Sequence, residues 1–553
     1  MLNALMASLQ CAFAVDPPSG GSQLQQIPPV PVLQQVLPEI QIERGIGAVA
    51  DHSDDATVKV SMLHVTGQTL YTENELMIIA EFSPGNELTL SDLRSMAKKI
   101  ANFYHKNGYF VAQVYLPQQD IIDGNVAIVV MEGRYGKVTL LNKTPISDGV
   151  IDMAGGLQTG LKSGEIIDIN PLENRLLLLS DLPGVRVSST LMPGPTVGTS
   201  DLLVDIRPGE RVSGNVEVDN EGNRYTGANR AGATVYVNEP FGLGDVLSLR
   251  TLESVNGGLD YGRVNYQVQA GIGTVGVAYA ALVYRLGDEF DHLHANGTAD
   301  IASLFSSYPL IRSRTSNLNL MLDFDDKTFH DNVDSTSSVT SKNAYTWNLS
   351  LYGDGLDTVG RGGSSHFSIM LTSGELDIRS PDALASDAVS TKTDGHYEKL
   401  TFNLARIQKV GEMFSLYAAI DGQLASKNLD ISEQMELGGA YAVRAYPEGE
   451  TYFDQGYVVN LEARMLLPRL SESMIGNMQF IGFVDTGTAT LRKNPSPVSD
   501  NTRTLSGAGL ELSWEAANDF SVNVYWAHKL GDAMAISAPD SVNRFWIQCV
   551  KFF

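Results

Sequence analysis

The sequence predicts two small α+β modules followed by an all-β transmembrane barrel of about 16 antiparallel strands. Three observations predict it. An order of strand, helical stretch, helix, strand and strand occurs twice between residues 57 and 208. Beyond about residue 210 the helical period disappears, and apolar and polar residues alternate with period two. No stretch reaches the roughly 18 uninterrupted apolar residues of a membrane-spanning helix, so a membrane role falls to strands.

Composition agrees. The 553 residues include 52 Gly, 21 Tyr and 19 Phe, and mean hydropathy is −0.06, which fits a turn-rich, aromatic-rich β protein. A net charge of −25 argues against a nucleic-acid partner, since phosphate binding needs a basic footprint.

Residues 1–14, "MLNALMASLQCAFA", read as a secretory leader whose small residues Ala12 and Ala14 precede cleavage before Val15, although a charged start is missing. Gln10 is too large for the position before a lipidated Cys11, and cleavage leaves Cys549 without a disulfide partner. Residues 15–56, rich in Pro, Gln and Gly, form an extended linker, with one or two helical turns over Gly21–Gln26 before Pro28.

The first module, 57–133, opens with the strand "KVSMLHV". Its main helix takes Ser91 as N-cap, places Leu93, Met96, Ala97, Ile100, Ala101 and Tyr104 on one face, and ends at Gly108. Strands over Tyr109–Leu116 and Val126–Met131 follow, joined through a turn at Asp123-Gly124. The second module, 134–208, repeats the order: "GKVTLLN", a loosely helical "DGVIDMAGGL", a helix over "NPLENRLLLLSDL", and strands around "VRVSSTL" and "LLVDIRP". Asn170, Pro171 and Glu173 supply that helix with a cap, a first-turn proline and a capping-box acid.

From 209 to 553 the strands alternate. Val212, Gly214, Val216 and Val218 face one way and Ser213, Asn215, Glu217 and Asp219 the other. A hairpin with its turn and loop consumes roughly 43 residues, which gives about 16 strands over this length. The chain stops on "RFWIQCVKFF", where Phe545, Ile547, Cys549 and the terminal Phe553 share a face, interrupted by Lys551. That is the ending expected of an outer-membrane barrel; a soluble sandwich would leave the same strand as an aggregation-prone edge.

Catalytic signatures are missing. Neither a phosphate-cradling loop nor a nucleophile elbow occurs, and His292 and His294 in "DHLHANG" read as a solvated loop rather than a metal site. The sequence therefore predicts neither an enzyme nor a bound cofactor. Two stretches stand apart, "GGAYAVRAYPEGE" at 438–450, which alternates poorly, and "FIGFVDTGTA", whose alternation groups Ile481, Phe483 and Asp485. Val484 suits lipid, so Asp485 points into the lumen. The planar fork of Arg444 is the natural partner for its carboxylate.

The two modules resemble POTRA domains. "VRAYPEGE" followed by "FVDTG" resembles the paired signatures of two-partner secretion transporters (TpsB), the haemolysin/haemagglutinin secretion-activation type of the POTRA-plus-barrel superfamily. "DNEGNRYTGANR", "GLGD" and "YPLIRSR" are also similar to barrel segments of that family. The resemblance implies an outer-membrane pore with periplasmic POTRA domains that exports a large β-helical exoprotein. It implies an extracellular loop folded into the pore, locked by Arg444 and Asp485 with Tyr446 and Phe483 packed nearby, and a plug helix at about Ser19–Gln26. Its partners would be the exoprotein, outer-membrane lipid and, during biogenesis, the barrel-assembly machinery that reads a C-terminal signal ending in Phe553. Ala445 stands where the family commonly has glycine, so a tip requiring positive φ would be strained there. The runner-up is a barrel-assembly factor of the same superfamily, which more often carries a longer POTRA array. An outer-membrane enzyme would need a nucleophile motif.

Overall fold

The computed structural model describes residues 17–31, 37–43, 57–495 and 500–553. The leader expected at 1–14 and linker residues 15–16, 32–36 and 44–56 lie outside the described residues.

In the first module, Met62–Thr66 pairs parallel with Asn125–Met131, which pairs antiparallel with Gln113–Tyr115. In the second, Arg134–Asn142 pairs parallel with Thr199–Pro208, which pairs antiparallel with Val185–Pro193. The two sheets thus share one strand order, and each packs its helices over a separate apolar core. The linker adds to the second sheet: Glu39–Ile42 lies parallel to Val185–Pro193, with Glu39 opposite Ser188.

Local details differ from the sequence reading. The main helix of the first module runs Leu90–Lys106 and is capped by Thr89, not Ser91, because Asp92 returns the bond to the Thr89 N–H at 2.8 Å and completes a capping box. The strand expected over Tyr109–Leu116 shortens to Gln113–Tyr115. Asp123 and Gly124 both have positive φ, and a Cβ on Gly124 would lie 2.7 Å from the Lys59 carbonyl, so only glycine fits. The second module's helix, Ile169–Ser180, is capped by Asp168 rather than Asn170. Glu173 does not close a capping box; it pairs with Arg314 on a short turn of the barrel at 2.7 Å. Beside it Arg312 grips Asp181 with two bonds of 2.7 and 2.8 Å, so this turn docks the second module.

Glu132, 4% exposed, closes the first module. It accepts from the Thr69 and Leu70 N–H groups at 2.6 and 2.8 Å and from the Tyr104 hydroxyl at 3.1 Å. Burial alone would raise its pKa, but these hydrogen bonds outweigh burial and hold it below the usual glutamate range. Its folded pKa being lowered, the stability it contributes is complete above the unfolded value of about 4.3 and is lost as pH falls through the lower folded one. A fragment of residues 57–208 is expected to unfold cooperatively by circular dichroism and to weaken over that acid window. Glu132→Gln should cost about 1–3 kcal/mol at neutral pH and flatten the acid limb. A fragment that melts without cooperativity would sink the independence of the modules.

The barrel closes with 16 antiparallel strands of 8 to 20 residues, from Val212–Asp219 to Asn543–Phe552. Alternation sorts inside from outside: Val212, Val216 and Val218 are exposed on the outer face, while Ser213, Asn215, Glu217 and Asp219 are buried inside. The last strand meets the first over Asn215↔Phe552 to Asp219↔Gln548. The main chain of Phe553 extends that seam by exchanging bonds of 2.9 and 3.0 Å with Gly214, and Lys551 is neutralised by Asp519. His292 and His294 lie in and just beyond a short surface 3-10 turn, and no cluster able to hold a metal occurs among the described residues.

Candidate functional site

The site grows from one loop. Between the strands Phe414–Ala425 and Gln455–Leu466 the chain does not return directly but folds into the barrel, braced by a two-residue ladder of Met435–Glu436 with Tyr452–Phe453. Gly439 and Gly449 take positive φ at its bends, and Leu437, Val443, Ala445 and Tyr446 are fully buried.

At the tip, Arg444 reaches the strand Asn477–Thr490. Its Nε and Nη2 donate to the two oxygens of Asp485 at 2.9 and 2.8 Å, and its own N–H adds a third bond at 3.1 Å. The fork geometry is the one a planar guanidinium gives a carboxylate. Nη1 turns the other way, 3.0 Å from Glu462 and 3.3 Å from Glu511. Asn460 fixes the unused capacity of Asp485 at 2.8 Å, and the Trp546 indole donates to the Arg444 carbonyl at 2.8 Å. The guanidinium carbon stands 3.5 Å from the centroid of the Phe483 ring, so the cation is held from below as well as ahead. That ring fits because its register partner is Gly509, where a Cβ would lie 2.4 Å from it.

Tyr446 is placed differently from Phe483. Its hydroxyl donates to the Ala533 carbonyl at 3.0 Å, and the Lys529 ammonium stands 4.7 Å from its ring centroid. A second anchor follows at Glu450, which pairs with Arg503 and accepts from the Ile536 and Ser537 N–H groups at 3.0 and 2.8 Å. Sequence reasoning missed Glu462, Glu511, Asn460, Trp546 and Glu450. The available signal was inward-facing charge on an alternating strand, as in "NLEARML".

The strain expected at Ala445 is not there, because the residue does not adopt positive φ. Its methyl fits instead against Gly507: a Cβ on Gly507 would lie 2.4 Å from that of Ala445. Gly507→Ala is therefore expected to cost about 1–3 kcal/mol by overpacking. Ala445→Gly in the same chain should recover most of it, read as the temperature at which the folded barrel loses its heat-resistant migration. Equal loss with and without Ala445→Gly would refute the pairing.

The helix predicted near Gly21–Gln26 forms over Gly20–Gln25 and lies within the barrel. The Gly20 N–H donates to Asp331 at 2.8 Å, Gln23 accepts from Thr226 at 2.8 Å, and Gly21 backs so closely onto Ser432 that a Cβ would stand 2.8 Å away. The helix thus touches both the barrel wall and the inserted loop.

Comparison with known proteins places this architecture. The family model "Haemolysin secretion/activation protein ShlB/FhaC/HecB" matches residues 198–514, and "POTRA domain, ShlB-type" matches 58–133. The heme/hemopexin transporter protein HuxB of Haemophilus influenzae is 30% identical, covering 90% of this chain and 86% of its own. Among solved structures, CdiB from Escherichia coli superposes with a TM-score of 0.66 at 19% identity, covering 92% of both chains. CdiB from Acinetobacter baumannii does so with 0.59 at 20%, covering 94% and 95%. A family model spanning over half the sequence and a relative alike along nearly all of it agree with the closed barrel and the modules before it: the chain belongs to the haemolysin secretion/activation family, and it is an outer-membrane transporter that secretes an exoprotein by two-partner secretion, with its POTRA domains in the periplasm.

Proposed function

We propose that this transporter rests closed, its lumen obstructed by the Arg444 loop and by the helix Gly20–Gln25, and opens for one large β-helical exoprotein captured by the two modules. The observation that carries this reading is the socket of Arg444, whose guanidinium meets Asp485, Glu462 and Glu511 at 2.8 to 3.3 Å. Arg444, Asp485 and Phe483 act as the lock, with Tyr446 bracing the loop from the far side. Capture runs along a sheet edge, where main-chain hydrogen bonds give affinity and side-chain pockets give selectivity. In support, the linker strand Glu39–Ile42 already adds to the edge at Val185–Pro193, so that edge accepts an extended strand. No nucleotide site is needed: folding of the exoprotein outside removes the unfolded chain from the equilibrium and gives direction. The outer strand faces are embedded in lipid, and the barrel-assembly machinery reads the last strand through Phe553. Photo-crosslinkers placed through residues 57–208 test the reading. One large β-rich periplasmic partner is expected; a spread of nascent barrels would mean an assembly factor instead.

A further inference from the structure

Beyond the helix, Gln26 and Ile27 turn and the chain continues through Pro28 to Pro31 past the barrel strands Val212–Asp219, Arg230–Asn238 and Val246–Ser254. Two arginines hold it, and both bind main chain. Arg230 Nη1 donates to the Gln26 carbonyl at 3.0 Å, and Arg250 Nη1 to the Pro28 carbonyl at 2.8 Å. Each is tethered to the wall behind it: Arg230 Nε to Asp219 at 2.8 Å, Arg250 Nη2 to Glu217 at 3.1 Å. Register builds the tethers, with Asp219 opposite Arg230 and Thr234 opposite Arg250. Gly232, opposite Glu217, clears the space, since a Cβ there would stand 2.8 Å from the Glu217 carboxylate.

A second observation concerns what this wall leaves unused. Both amide atoms of Asn215, Oδ2 of Asp219, Oγ1 of Thr234, Nη2 of Arg230 and Nε of Arg250 are buried with no hydrogen-bond partner among the described residues. All five residues are at most 7% exposed. Buried polar atoms are normally paired, so such a strip points to a ligand. The resident segment cannot serve it fully. In "QIPPVP", Pro28, Pro29 and Pro31 have no N–H to give to Asn215 Oδ1, Asp219 Oδ2 or Thr234 Oγ1. An ordinary polypeptide carries one N–H per residue. Pro29–Pro31 also line a cavity of about 490 Å³ that reaches Gln479, Ser513 and Gln548, which gives an extended chain room.

We propose that this wall is a binding track for the main chain of an extended polypeptide in transit. Arg230 and Arg250 take its carbonyls, and Asn215, Asp219 and Thr234 take its N–H groups. The proline-rich segment is a resident occupant that engages the carbonyl half alone, so a chain bearing N–H groups binds better and replaces it. Recognition of main chain rather than side chains suits a track that passes every sequence in a long exoprotein. The inference rests on the reading that the exoprotein crosses the lumen.

The test uses the full-length chain lacking only residues 15–31, its folding verified by heat-modifiable migration, in planar bilayers. The probes are two uncharged unstructured peptides of equal length, one of Gly and Ser, one with proline at alternate positions. Gly-Ser blockades are expected to last roughly tenfold longer than those of the proline peptide, and Arg230→Gln with Arg250→Gln should shorten the dwell of both peptides by a similar factor. Should that pair fail to assemble, Asn215→Ala carries the test, shortening only the Gly-Ser dwell. Equal dwell for both peptides in the unsubstituted pore, or dwell times indifferent to these substitutions, would overturn the track. Crosslinking through residues 57–208 is read independently, so its result separates failure of the track from failure of the export reading.

Discussion

Arg444→Ala is expected to abolish most export and to lower the thermal stability of the folded barrel. The substitution leaves the fully buried Asp485 and its neighbour Glu511 without their cation, while Glu462 keeps Arg464 at 2.7 Å. Breaking a buried pair by removing one partner costs about 3–5 kcal/mol, and water in the lumen lowers this. On sequence alone Arg444 and Asp485 are equal partners, and losing either should hurt alike. The geometry makes them unequal: Asp485→Ala leaves Arg444 two further carboxylates, so it should be the milder change. The double substitution should export as poorly as Arg444→Ala, since the lock is already lost, and be no less stable, because the buried Asp485 carboxylate leaves with its cation. Surface display of the exoprotein, with heat-modifiable migration as the stability readout, measures both effects. Additive losses would show that the residues act apart.

Deleting Val15–Gln26 should raise single-channel conductance in planar bilayers while sparing export. An empty barrel of 16 strands leaves an aqueous channel, and the helix Gly20–Gln25 fills part of it between Asp331, Thr226 and Ser432. The 12 residues Ile27–Pro38 span roughly 37 Å at about 3.1 Å per residue in a polyproline conformation, enough for the helix to leave without unfolding a module. On the capture role proposed for the modules, export should persist. Unchanged conductance would leave the Arg444 loop as the sole gate.

Much of this protein was legible in its residues because the relevant signals are local. A period of 3.6 gave the helix with Leu93, Ala97, Ile100 and Tyr104 inward, and a period of two put Ile481, Phe483 and Asp485 inside with Val484 outside. Length divided by hairpin size gave the strand number. Cap residues were less legible, since Thr89 and Ser91, or Asp168 and Asn170, are both acceptable in type, and the neighbouring chain chooses between them.

What the sequence by itself determined is therefore the order of modules, the barrel, and the inward face of the strands that alternate regularly, all fixed by patterns a few residues long. Only the tertiary structure decided which inward residues meet. Asn460 stands opposite Asp485 and Asp485 opposite Gly507 because hydrogen-bond register sets them so once the sheet has closed. Glu462 and Glu511 reach Arg444, Gly507 receives Ala445, and Arg312 and Arg314 reach the second module for the same reason. These partners lie on separate strands, turns and helices, and a period along the chain carries no information about register across it.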